Sequence, residues 1–148
     1  IKAIMPLVEQ IKQEGNTLQN ISNDALRDKS SALRQTIADA LSQIDGQLHA
    51  LHQQIADQPD LDLAQKEAVF TKIDKLEGER NKELEKVLRK ILPQAFAIVR
   101  ETARRFKENE YTEVTARDYD HHLSLKKEHI KIVGDKAHWY NKWIAGGN

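Results

Sequence analysis

Six histidines and no cysteine set the limits of the ligand and nucleophile chemistry in this sequence. His49 and His52 stand three apart in a helical register, a spacing that brings two imidazoles to one ion. Asp120-His121-His122 offers a second group of ligand types. Both stop short of a metal site. His49 and His52 directly follow Leu48 and Leu51, so they flank an apolar seam, and neither group brings a defined third and fourth ligand. Glu108, Glu110 and Glu113 are the nearest approach to paired carboxylates, but the stretch lacks the apolar surroundings that general acid-base catalysis needs. No catalytic, cofactor-binding or metal-binding residue is assigned.

The six glycines stand at 15, 46, 78, 134, 146 and 147. None lies in a G-x-x-x-x-G-K-[ST] or G-x-G-x-x-G arrangement, the spacings that let backbone approach a phosphate. The sequence gives no support for nucleotide binding by this chain itself. Arg100, Arg104, Arg105 and Lys107 are interleaved with Glu101 and Glu108, which reads as a solvated or interdomain salt-bridged face rather than a phosphate site. Trp139, Tyr140 and Trp143 form an aromatic group whose first role is to cover a small local core; Trp139 and Trp143 are also the candidate partner surface.

These residues need elements to position them, and composition says which kind. Of the 148 residues 39% are hydrophobic, 5% aromatic and 31% charged, a balance that suits long amphipathic helices better than a thick globular core. Lysine plus arginine equals aspartate plus glutamate at 23 each, so no long-range field collects nucleic acid. The absence of cysteine suits a reducing cytosol. Apolar runs reach no more than the five residues of Ala95 to Val99, far below the roughly 20 that span a bilayer. The chain opens on Ile1 already in a helical pattern and closes on Ala145-Gly146-Gly147-Asn148, which reads as a piece cut from a longer protein.

Ile1, Ile4, Leu7, Val8 and Ile11 give a short first helix, expected to end at Gly15-Asn16, and Ser22 is the N-cap candidate for the next. Leu26, Leu33, Ile37, Leu41, Ile44, Leu48, Leu51 and Ile55 then form a near-heptad seam on a helix of about 23–56. After the breaker Asp57-Gln58-Pro59-Asp60, Asp60 or Asp62 caps a return helix of about 62–92 carrying Leu63, Val69, Phe70, Ile73, Leu76, Leu84, Val87, Leu88 and Ile91. A short loop makes the two antiparallel neighbours. Pro93 is expected to break this helix and open another over 93–108, whose residues Phe96, Val99, Ala103 and Phe106 are the candidate interdomain docking stripe.

Beyond 109 the period changes. Residues 112–115 are β-branched, 117–127 suit one or two helical turns, and a β-hairpin over 129–140 turns at Gly134-Asp135 with the type II′ geometry that places glycine at positive φ. The expected fold is mainly α: a long antiparallel helical hairpin plus shorter helices, with a small β-hairpin near the C-terminus. Region 1–109 is helical and 110–148 a small α/β insertion.

Two stretches resemble one family. Ile91-Leu92-Pro93-Gln94-Ala95-Phe96-Ala97-Ile98-Val99-Arg100-Glu101-Thr102-Ala103-Arg104-Arg105 is similar to the L-P-E-A-F-A-x-V-R-E-A-x-x-R stretch of SecA proteins, the motor ATPases of bacterial preprotein translocation. Ser22-Asn23-Asp24-x-Leu26-Arg27-x-Lys29 is similar to that family's early L-S-D-E-E-L-x-x-K run, in the same order along the chain. Gln94 departs from the family glutamate, the hairpin is longer, and 109–148 is an insertion, as in a long-insert variant. The resemblance implies a non-catalytic N-terminal piece of an ATP-driven translocation motor. It also implies ATP and magnesium in the whole protein, and as partners the rest of the motor, the SecY channel, preproteins, an anionic membrane surface and a second copy. The location implied is cytoplasmic, peripheral at the inner face of the plasma membrane. The family's adenine and phosphate motifs fall beyond Asn148, so no functional residue of the family is carried onto this chain. The rival reading is a free-standing helical-hairpin interaction module with Trp139 and Trp143 as its partner site.

Overall fold

The long helices begin where the sequence supplies caps. Ser22 Oγ accepts from the Ala25 N–H at 3.1 Å, and Asp62 and Gln65 form a reciprocal box in which each side chain accepts from the other's backbone N–H, at 2.8 and 3.2 Å. The computed structural model describes residues 4–141; the expectations for Ile1, Trp143 and 145–148 lie outside them. In chain order the elements are α1 (Met5–Leu18), α2 (Asn23–Asp57), α3 (Leu63–Glu108), β1 (Tyr111–Thr115), α4 (Asp118–Ser124), β2 (Ile130–Val133) and β3 (Lys136–Tyr140). The chain divides into two units, Ala32–Leu92 and the pair Ile1–Ser31 with Pro93–Asn148.

The unit 32–92 is the antiparallel helical hairpin. Leu41 on α2 and Val69, Ile73, Val87 and Ile91 on α3 are buried, and the seam positions Ile37, Ile44, Leu48, Leu51 and Ile55 are half-buried. Arg80 Nε donates to Asp45 Oδ1 at 2.5 Å and ties the two helices beside the seam. Three apolar residues expected on the seam lie off it: Leu63 is 83% exposed, Phe70 is 50% exposed and Leu88 is also exposed. Phe70 adjoins Val69 and Leu88 adjoins Val87, and neighbours 100° apart on a helix do not share so narrow a face.

The break expected at Pro93 is absent, since α3 continues through it to Glu108. Proline there removes the N–H that would have bonded the Arg89 carbonyl. Burial of Pro93, Ala97 and Ile98 in the next turns holds the helix regardless. α1 likewise runs past Gly15-Asn16 to Leu18, whose side chain is buried.

In the other unit the expected hairpin forms, with Val133 paired to Lys136 across Gly134 at φ 61°. No described residue other than glycine has positive φ, so Asp135 completes the type II′ turn. The sheet has one strand more than the hairpin: β1 pairs antiparallel to β3, giving the order β1-β3-β2. Alternation then sorts the strands. Thr112, Val114, Ile130, Ile132, Ala137 and Trp139 share the covered face, with Ile130 and Ala137 fully buried. Leu18, Leu26, Pro93, Ala97 and Ile98 are this unit's buried apolar helical residues.

Candidate functional site

The first two turns of α2 present Asn23, Asp24, Arg27 and Asp28 to the α/β segment, and each finds a partner about ninety residues away in sequence. Asn23 Nδ2 donates to the Glu113 carbonyl at 2.8 Å. Asp24 accepts from the Thr115 N–H at 2.9 Å and from its hydroxyl at 2.7 Å. Asn23 and Asp24 thereby occupy backbone groups on β1, an edge strand whose free groups would otherwise invite another strand. Arg117 Nη2 donates to Asp28 Oδ1 at 2.7 Å.

At the centre is Asp120, with 0% of its surface exposed. Arg27 grips it with two parallel bonds of 2.8 Å, Nη1 to Oδ2 and Nη2 to Oδ1. Oδ2 also accepts from the Arg117 N–H at 2.9 Å, which caps the first turn of α4, and Oδ1 from Trp139 Nε1 at 3.2 Å. Burial alone pushes the Asp120 carboxyl toward higher pKa. The Arg27 hydrogen bonds, the Arg117 N–H, the Arg27 charge and the Trp139 indole outweigh it and hold the group below its ordinary 3.8. The Asp24 carboxyl is held low in the same way: burial opposes ionisation, and the Thr115 hydroxyl and N–H prevail.

A second buried pair closes the other side of this unit. Arg105 Nε donates to Glu101 Oε1 at 2.8 Å, Nη1 to Asn23 Oδ1 at 2.8 Å, and Nη2 to the carbonyls of Leu18 and Ile21 at 2.8 and 2.9 Å. These carbonyls end α1 and lie between it and α2, so one guanidinium serves as the C-terminal cap of α1. Glu101 also accepts two bonds from Arg104, and Arg104 in turn pairs with Glu108. The Arg104 hydrogen bonds, against burial and with help from Arg105, bring the Glu101 carboxyl from 4.5 to about 2. No buried side-chain N or O among the described residues lacks a partner. A network in which every buried polar atom has a partner holds the shape of this unit.

Around it lie two concavities. One of about 280 Å³ is bounded by Leu26, Arg27, Phe106, Val114 and Trp139. The other, of about 670 Å³, has Ala103, Phe106, Trp139 and Tyr140 for its apolar lining and Arg100 and Lys107 at its rim.

The residues singled out from sequence fall as follows. Phe96 and Val99 stand 54% and 67% exposed on α3, Ala103 is exposed and Phe106 half-buried. Trp139 is half-buried with its indole N–H on Asp120. His49, His52, His121 and His122 are exposed, and no three His, Cys, Asp or Glu side chains among the described residues converge on one point. Glu113 meets His138 at 3.1 Å, Glu108 is taken by Arg104, and Glu110 is exposed. The face of Arg100 to Lys107 was expected to be solvated or interdomain and salt-bridged; its charges do form ion pairs, Arg104 with Glu101 and Glu108 and Arg105 with Glu101, and Glu101 and Arg105 are buried rather than solvated. Sequence reasoning missed Arg27 and Asp120 as partners. The one local signal was Asp120 standing three residues after Arg117 at a helix start, the place for a capping carboxylate.

A family model for the SecA DEAD-like domain matches residues 1–124. Among curated proteins, the chain is similar to the protein translocase subunit SecA of Cytophaga hutchinsonii, 48% identical over 147 residues, which is 99% of this chain and 13% of that protein. It is 43% identical over 148 residues to the subunit of Amoebophilus asiaticus and 41% over 147 to that of Flavobacterium psychrophilum, again over 13% of each relative. The chain therefore spans about an eighth of the length of the relatives it matches. No solved structure matches it.

Proposed function

The chain belongs to the SecA family, and from that premise we propose that it is the N-terminal, non-catalytic part of an ATP-driven protein translocation motor. In the whole protein ATP and magnesium bind outside this chain. Their hydrolysis drives preproteins through the SecY channel, at the inner face of the plasma membrane. The role of this part is mechanical: Phe96, Val99 and Ala103, with Phe106 at the end of the stripe, dock α3 on the rest of the motor.

The observation that carries this reading is the two-sidedness of 96–106. Ala97, Ile98, Glu101 and Arg105 are buried within their own unit, while Phe96 and Val99, one residue away, are left to solvent. A helix fixed on one side and apolar on the other is suited to transmit position to a second body. The test is Phe96→Ser/Val99→Ser in the full-length protein. Losing the burial of two half-exposed apolar side chains costs about 2 kcal/mol, roughly thirtyfold in the docking equilibrium. Preprotein-stimulated ATPase is expected to fall at least severalfold, while the 148-residue chain carrying the same changes keeps its urea midpoint. Undiminished ATPase rejects the docking role.

A further inference from the structure

We propose that the cleft of about 670 Å³ between the end of α3 and β3 receives an apolar side chain flanked by two carboxylates, supplied by the part of the translocase polypeptide that lies outside this chain. The proposal rests on the docking reading above and gives its partner a chemistry.

The floor of the cleft is apolar and already rigid. Ala103 and Phe106 come from α3, and the Trp139 indole is pinned by its bond to the buried Asp120, so little order remains to be imposed on binding. A volume of this size lies within the roughly 300–1,000 Å³ of pockets that seat compact ligands, ample for one large side chain.

The rim sets the charge. Arg100 and Lys107 are exposed and have no ion-pair partner among the described residues. The one carboxylate lining the cleft, Glu108, is taken by Arg104. Two uncommitted cations thus face the opening and no uncommitted anion does. They sit seven residues apart on one helical face, with Ala103 between them, which separates them by about 10 Å along the axis. An extended peptide turns residues i, i+2 and i+4 to one face, with i and i+4 about 13 Å apart, a span that the long Arg100 and Lys107 side chains reach. The matching segment is therefore two acidic residues four apart with an apolar residue midway between them. Ala103 belongs to this cleft and to the docking stripe alike, so the cleft is continuous with the surface assigned to the rest of the motor. That body is available in the relatives, of whose length the chain spans 13%.

The full-length protein tests this directly with carbodiimide, which joins a lysine amine to a carboxyl in contact with it. Mass spectrometry is expected to find Lys107 linked to an Asp or Glu outside the present 148 residues, two positions from an apolar residue. Arg100→Glu should lower the yield at least fivefold and Arg100→Lys should preserve it. Mixing isotope-labelled and unlabelled protein shows whether the link lies within one polypeptide. No link at Lys107, links only within these 148 residues, links between copies, links to another protein, or protection of Lys107 only by anionic vesicles each overturn the proposal. If Phe96→Ser/Val99→Ser impairs the motor and the Lys107 link is absent, the docking role stands and the cleft assignment falls. If the variant is unimpaired, the docking role itself falls.

Discussion

A carboxylate with no exposed surface persists in ionised form only when the donors around it replace the water it has lost. Asp120 has four such bonds, and Glu101 has three from two arginines. Both carboxyls therefore ionise more readily folded than unfolded, and the sign of the pH dependence follows. A lowered folded-state pKa gives stability that is complete above the unfolded value and is lost as pH falls toward the folded one. For Glu101 that window runs from 4.5 down to about 2. Asp120→Asn and Glu101→Gln are each expected to destabilise the chain at pH 7 by on the order of 3 kcal/mol. Both deficits should shrink as the wild-type carboxyls protonate. Urea midpoints measured from pH 7 to pH 2 check this; a deficit that stays constant with pH refutes it. These partners were largely illegible in the sequence. Arg27 and Asp120 are 93 residues apart, and side chains that read as ordinary surface charges become central only when two turns of α2 meet the sheet. Glu101 and Arg105 were hidden for a related reason: their spacing of four is shared by exposed pairs such as Glu85 and Arg89.

At the scale of elements, local chemistry decided more. The caps at Ser22 and Asp62, the seam from Leu26 to Ile55 and the Gly134-Asp135 turn all follow from short-range rules, and each stands where its residues place it. Misreadings came where tertiary burial overrode such rules, at Gly15 and Pro93, where an apolar residue next to a seam position was counted into the seam, at Phe70 and Leu88, or where one at the exposed first residue of α3 was, at Leu63. Strand β1 had β-branched residues as its only signal, and its pairing with β3 depends on chain more than twenty residues away. The glycines separate element from turn. Gly46 and Gly78 lie in helix interiors, exposed, with nothing within 4 Å of an added Cβ. Gly46→Ala and Gly78→Ala should each stabilise by about 0.5–1 kcal/mol. Gly134→Ala, at φ 61°, should destabilise by about 1 kcal/mol. Thermal melts that fail to rise for the first two, or fail to drop for the third, contradict these assignments.

At the scale of the molecule, charge and motif point the same way. Equal numbers of cations and anions leave no field to gather a polyanion, and nothing in the glycine spacing lets backbone approach a triphosphate. The charges that are buried are spent on one another: Arg27 on Asp120, Arg105 on Glu101. On the proposed reading, what this chain contributes to a motor is held geometry, with the energy source bound elsewhere in the whole protein. Titration calorimetry separates the two. Magnesium-ATP added to the 148-residue chain should give no binding heat and no phosphate release, and the full-length protein should give both. The comparison is most informative with Asp120→Asn in the full-length protein. If the clasp serves only to hold the α/β segment against α2, ATP affinity should be unchanged while the chain's own melting falls. Saturable heat from the chain alone would place a nucleotide site among residues in which no phosphate-binding spacing occurs.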